Sequence, residues 1–162
     1  MPGEFNYAHS TALGKCLLSE RSEEEVEGII AQHGLQKLAR NTITSGSVLL
    51  QELRKVRAEG VAVNHEENID GVICVAAPIR DKDGVVIAAL SVSGPAIRME
   101  LILDVVKHEV RQVAARVSGM LGYTGATTSD YDPLVASGHP PMPPLGAAEA
   151  TSSKGAFSVS RR

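Results

Sequence analysis

Tryptophan is absent, and aromatic residues make up only 3% of the 162-residue chain, so a core built around large rings is excluded. Buried volume has to be filled by aliphatic side chains and alanine, which suits helices packed on a sheet. Cysteine is nearly as scarce. Cys16 and Cys74 fit no CxxC-type spacing, which excludes a disulfide scaffold and a zinc ribbon and reads as two reduced thiols of a cytoplasmic protein. There is no excess of basic residues either: 16 Lys and Arg stand against 19 Asp and Glu, a formal net charge of −3. Phosphate contacts need clustered Lys and Arg, so the chain as it stands is not expected to bind nucleic acid. No apolar run approaches the roughly 20 residues that a membrane span needs, and no signal-peptide pattern is visible. The length suits one domain able to bury its own core without a metal or a disulfide.

What is present is concentrated in residues 66–95, EENIDGVICVAAPIRDKDGVVIAALSVSGP. Two nearly unbroken apolar runs, Val72 to Ile79 and Val85 to Val92, flank Asp81-Lys82-Asp83-Gly84, a polar segment ending in the residue that reversing turns favour. This predicts a β-hairpin. Its apolar residues run continuously instead of alternating, so both faces are expected to be covered. Cys74, Ser91 and Ser93 are the polar exceptions. Ser91 and Ser93 are two apart in a strand and share a face. Cys74 joins them only if the hairpin pairs even-numbered with odd-numbered residues, as a two-residue loop would arrange; a three-residue loop with a bulge turns it away.

Helices are predicted around this hairpin. Ser10 and Thr11 can cap a segment carrying Leu13, Leu17 and Leu18, within which Gly14 suggests close approach by another part of the chain. Ser22 with Glu25 forms a capping-box pattern ahead of Val26, Ile29 and Ile30, and His33-Gly34 ends that helix. Leu49, Leu53 and Val56 form the stripe of a third helix stopped by Gly60. Val61 to Glu66 alternates as a short strand. Beyond Pro95, Met99, Ile102, Val106, Val110, Val113, Val117 and Leu121 predict one long amphipathic helix ending near Gly122. The organisation expected is a disordered start over residues 1–8, a domain over 9–123 and a disordered tail over 124–162, where five of the eight prolines lie and apolar periodicity ceases. His139 to Pro144 reads as a polyproline spacer.

The blocks HSTALGKCLL, TIT at Thr42 to Thr44, LRKVRAEGVAVNHEE, GVICVAAPIRDKDGVVIAALSVSGP and Arg98, in that order and spacing, resemble the effector-binding domain of the IclR family of bacterial transcription regulators. The resemblance covers about residues 9–122. It implies a GAF-like α/β (α+β) domain, with helices flanking a curved, mostly antiparallel sheet, that holds a small organic effector in a cup. It also implies homodimers or homotetramers and DNA contact through an N-terminal winged helix-turn-helix that this chain lacks. The chain is therefore expected to be a fragment, a truncated gene product or a stand-alone sensor.

Carried over position by position, the resemblance implies effector contacts at Ala12, Leu13, Asn64, Val72, Cys74, Ser91 and Ser93. The chemistry is coherent beside it. Paired buried hydroxyls need partners, which a carboxylate supplies, and N–H groups at the helix start near Thr11 form an anion seat. Asn64 departs from the aspartate that many relatives carry; a neutral amide both donates and accepts, which favours a larger or aromatic carboxylate over the simplest 2-oxo acids. The expected function is effector sensing: binding of a small aromatic or aliphatic carboxylate controls subunit arrangement, with no catalysis, no cofactor, no metal and no membrane contact. Two alternatives stay open: a GAF-like enzyme or redox protein using Cys74, with His65 as base, and a ligand-free interaction domain. His65, Glu66 and Glu67 with Cys74 would be the candidates for a metal site, but adjacent strand residues point in opposite directions.

Overall fold

The computed structural model describes residues 7–125. Helices α1 (Ala12–Leu18), α2 (Glu23–His33) and α3 (Gly46–Glu59) precede strands β1 (Ala62–His65), β2 (Val72–Arg80) and β3 (Val86–Pro95), and α4 (Ala96–Met99) and α5 (Leu103–Met120) follow. The expectations for the tail and its proline segment fall largely on residues 126–162, outside the described ones.

Local chemistry accounts for the helix ends. Thr11 is extended and its hydroxyl accepts from the Gly14 N–H, opening α1. Ser22 and Glu25 form the reciprocal capping box of α2, and Gly60, at φ 66°, closes α3 in the left-handed conformation that glycine tolerates. Gly14 answers to close approach: a β-carbon there would lie 2.2 Å from the carbonyl oxygen of Ala8, in the short 3₁₀ turn Ala8–Ser10.

The three strands form one antiparallel sheet in the order β1-β2-β3. One face, carrying Ile73, Val75 and Ala77, packs on Val110 and Ala114 of α5. The other, carrying Ala62, Cys74, Ala76 and Ala89, packs on Ala12 and Cys16 of α1 and on Val56 of α3. Leu18, Val26, Leu49 and Leu53 form a third cluster where α1, α2 and α3 meet. Fully burying an aliphatic side chain of this size stabilises by about 1.5–3 kcal/mol.

Three sequence expectations are corrected. β3 is an edge strand with Ile87 and Val92 exposed, so the second strand of the hairpin, unlike the first, is not covered on both faces along its length. The long C-terminal helix is broken: Glu100–Ile102 forms a 3₁₀ turn between α4 and α5, and Ile102 leaves helical geometry at φ −130°, ψ 16°. Within α5, Val110 is buried as expected, but the buried stripe then runs through Ala114 and Ser118, each one position beyond the expected Val113 and Val117. The third correction concerns the hairpin. Its loop has three residues, Lys82 to Gly84, with Asp81 N–H bonded to the Val85 carbonyl and Gly84 at φ 81°. Such a loop alone would turn Cys74 away from the serines. A second irregularity restores the match: Arg80 pairs with Val86 and Ile79 with Ala88, so Ile87 is an inserted bulge that shifts the remaining ladder by one.

Candidate functional site

The restored register decides which side chains meet. Asn64 lies opposite Cys74, Cys74 opposite Ser93, and Ala76 opposite Ser91. Directly paired residues share a face, so Asn64, Cys74, Ser91 and Ser93 stand together on the face that α1 crosses, with Val72 two residues before Cys74 on the same side. The Ser93 hydroxyl donates to Cys74 Sγ at 3.0 Å. Ser93 is exposed, Ser91, Cys74 and Val72 are half-buried, and Asn64 is buried, so the row runs from wet at β3 to dry at β1.

Ala12 and Leu13 sit at the start of α1 in different surroundings. Ala12 is enclosed in the cluster with Cys16, Ala62 and Ala76, with Cys74 against it, while Leu13 is exposed. The helix has only seven residues and Thr11 already takes the Gly14 N–H, so the anion seat expected there narrows to the first two N–H groups of a short helix.

Asn64 is held by its own loop. Its Oδ1 accepts from the Glu67 N–H at 2.8 Å, which leaves Nδ2, a donor only, as the free branch of the amide. Glu66, between them, is the only non-glycine residue with positive φ among the described residues, at 58°. Glu67 is bonded at every polar atom it has. Its carboxylate oxygens lie 2.7 and 3.0 Å from Lys15 Nζ, Oε1 also accepts from the His65 N–H at 3.1 Å, and its carbonyl accepts from the Thr42 hydroxyl at 2.6 Å. Lys15 itself has no exposed surface; it further meets the Val63 carbonyl at 2.6 Å and Glu52 at 3.2 Å. Sequence reasoning missed this pair, because Lys15 and Glu67 are 52 residues apart and each looks like a surface charge; the one available signal was a lysine between Gly14 and Cys16 in an otherwise buried turn.

The polar cluster 65–67 does not converge. His65 Nε2 meets Glu100 at 2.6 Å on the α5 side of the sheet, Glu66 accepts from the Gly71 N–H, and Glu67 serves Lys15. His65 lies opposite Ile73 and Cys74 opposite Asn64, so the imidazole and the thiol are on opposite faces and do not form a nucleophile and base pair. Cys16 is fully enclosed, and that burial pushes its thiol up to about 12.

The larger concavities lie beside this face. One, of about 780 Å³, runs between α1 and the hairpin turn, along Gly14, Leu17, Glu20 and Val85 to Ile87. Another, of about 650 Å³, lies between α1 and α2 and is lined by Leu18, Val26, Ile29 and Leu49, with His9 at its wall. No helix among the described residues is long and apolar enough to cross a membrane.

Residues 2–119 match the bacterial transcriptional regulator IclR C-terminal family. The HTH-type transcriptional regulator KdgR of Dickeya chrysanthemi is 40% identical over 125 residues, which cover 75% of this chain and 40% of that protein. Among solved structures, the C-terminal domain of the E. coli transcriptional regulator KdgR superposes with a TM-score of 0.67 at 38% identity, covering 73% of each chain. The inducer-binding domain of the Acinetobacter PobR transcription factor, a double mutant solved in complex with 3-hydroxybenzoic acid, gives 0.67 at 32% identity, covering 71% of this chain and 67% of that one. The chain spans about two fifths of the length of the curated regulators it matches.

Proposed function

We propose, from the premise that this chain belongs to the bacterial transcriptional regulator IclR C-terminal family, that it is the effector-sensing part of such a regulator. It binds a small organic carboxylate on the α1 face of its sheet, and binding selects one subunit arrangement over another. It has no catalytic role, as the relatives it matches are named regulators and repressors. The observation that carries the reading is the register that aligns Asn64, Cys74, Ser93 and Ser91 on one face. The Ser91 hydroxyl and the Asn64 Nδ2 are donors toward an acceptor-rich ligand, the Ser93 hydroxyl joins them by turning from Cys74 Sγ, and the row dries progressively toward Asn64, which strengthens those bonds at the inner end.

A ligand couples to arrangement only through different affinity for the two arrangements, so binding and assembly should move together. The ligand named for the PobR domain supplies a probe. 3-Hydroxybenzoate, titrated in a thermal-shift assay, is expected to raise the melting temperature of the chain; at a hundredfold excess over Kd, binding stabilises by about 2.7 kcal/mol. Light scattering on the same samples is expected to report a change in assembly. No stabilisation across a broad panel of carboxylates would favour an interaction domain without a ligand.

A further inference from the structure

We infer that Lys15 and Glu67 are positioning residues for the ligand face: they hold the start of α1 and the amide of Asn64 at a set separation. The inference rests on the reading just given. Lys15 follows Ala12 by one helical turn, and its ammonium reaches across the α1 face of the sheet to the loop after β1. Glu67 receives it there and, through its own N–H, fixes the Oδ1 of Asn64, so a single chain of contacts runs from α1 through Lys15 and Glu67 to the amide that points at the ligand. Glu52 and the Val63 carbonyl complete the shell around Nζ and tie α3 and β1 to the same point.

Stability alone does not account for this arrangement. A buried ion pair loses in desolvation much of what it gains in attraction, and apolar replacements of similar volume are often as stable. What a fully bonded pair supplies that an apolar pair does not is direction: Glu67 has every polar atom engaged, in a loop held with Glu66 in the left-handed region. One ammonium facing two carboxylates, buried Glu67 and partly exposed Glu52, also leaves an excess negative charge at this end of the row. This charge repels a ligand carboxylate from the inner end and favours binding with the anionic group toward the β3 serines and a neutral acceptor toward Asn64.

The double variant Lys15→Met/Glu67→Gln removes the buried pair and leaves only Glu52, whose side chain is partly exposed to water, without its ammonium. Hydrogen exchange then reads the amide of residue 67, whose bond to Asn64 Oδ1 neither substitution deletes. It is expected to exchange about tenfold faster while the amides of Ile73 and Val75 keep their protection. Affinity for 3-hydroxybenzoate is expected to fall about tenfold at a melting temperature within a few degrees of the parent. Equal loss of protection at residues 67, 73 and 75 would reduce the pair to a general structural role, and unchanged exchange at residue 67 would overturn its anchoring role. Faster exchange with unchanged affinity would overturn its link to the ligand. Should the double variant fail to fold, Lys15→Arg, which keeps the charge and changes its reach, is read by the same criteria. If 3-hydroxybenzoate does not bind the parent chain, the ligand reading fails on its own, and the exchange comparison still decides the anchoring.

Discussion

Asn64 and Cys16 show how one side chain can set what its surroundings accept. With Oδ1 held by the Glu67 N–H, Asn64 offers a donor to the face. Asn64→Asp keeps an acceptor for that N–H and turns the free branch from donor to acceptor, adding a charge beside Glu67. A carboxylate ligand is expected to bind about 2 kcal/mol more weakly, as measured by calorimetry, with little change in the unliganded melting temperature. Retained affinity would mean that Asn64 does not face the ligand. Cys16 is a matter of stability. Burial raises its folded value to about 12 from an ordinary value of 9.0, so the folded state holds the thiol proton more tightly than the unfolded chain. Its contribution is whole below pH 9 and is eroded as pH rises from 9 toward 12. Urea unfolding at pH 8 and pH 10.5 is expected to show a larger loss for the parent than for Cys16→Ala. In alkylation at pH 8, half-buried Cys74 is expected to react well before Cys16.

At the scale of elements, the short helix α1 is the part with least room for change. Gly14→Ala would drive a β-carbon into the Ala8 backbone, 2.2 Å from its oxygen, and has to displace either the 3₁₀ turn or α1 itself. It is expected to cost at least about 2 kcal/mol in denaturant titrations, whereas Ser22→Ala, which removes only the α2 cap, is expected to cost about 1 kcal/mol. Elements with local causes were legible in the sequence: Ser22 and Glu25 sit three apart and cap α2, Gly60 stops α3, and Asp81 to Gly84 turns the hairpin. Where the cause is distant, the reading failed. The break at Glu100–Ile102 has no proline or glycine to announce it, since the apolar spacing continues through it, and the Ile87 bulge falls in a run of Val, Ile and Ala that offers no sign of an extra residue. Ser91 and Ser93 share a face in any register, but Cys74 depended on that bulge to join them; the sequence could state that the parity of pairing decides this but not which parity the hairpin takes.

For the whole molecule, the family blocks carried more than periodicity did. They ordered Thr11, Thr42, Asn64 and Ser93 along the chain, but only the three-dimensional contacts reveal why Thr42 belongs among them: its hydroxyl closes on the Glu67 carbonyl. The sheet has one face under α5, one under α1, and an open edge at β3, and the polar row of the α1 face extends toward that edge. The clefts beside α1 offer a ligand a competing location, lined by Leu18, Val26 and Ile29 in place of the serines and Asn64. Amide chemical shifts recorded while 3-hydroxybenzoate is titrated into the chain separate the two most directly. Saturable shifts concentrated at residues 64, 74, 91 and 93 are expected, with Val75 and Val110 on the α5 side unmoved; shifts centred instead on Leu18, Val26 and Ile29, with the 64–93 row unchanged, would put the ligand in the cleft and overturn the polar row as its site.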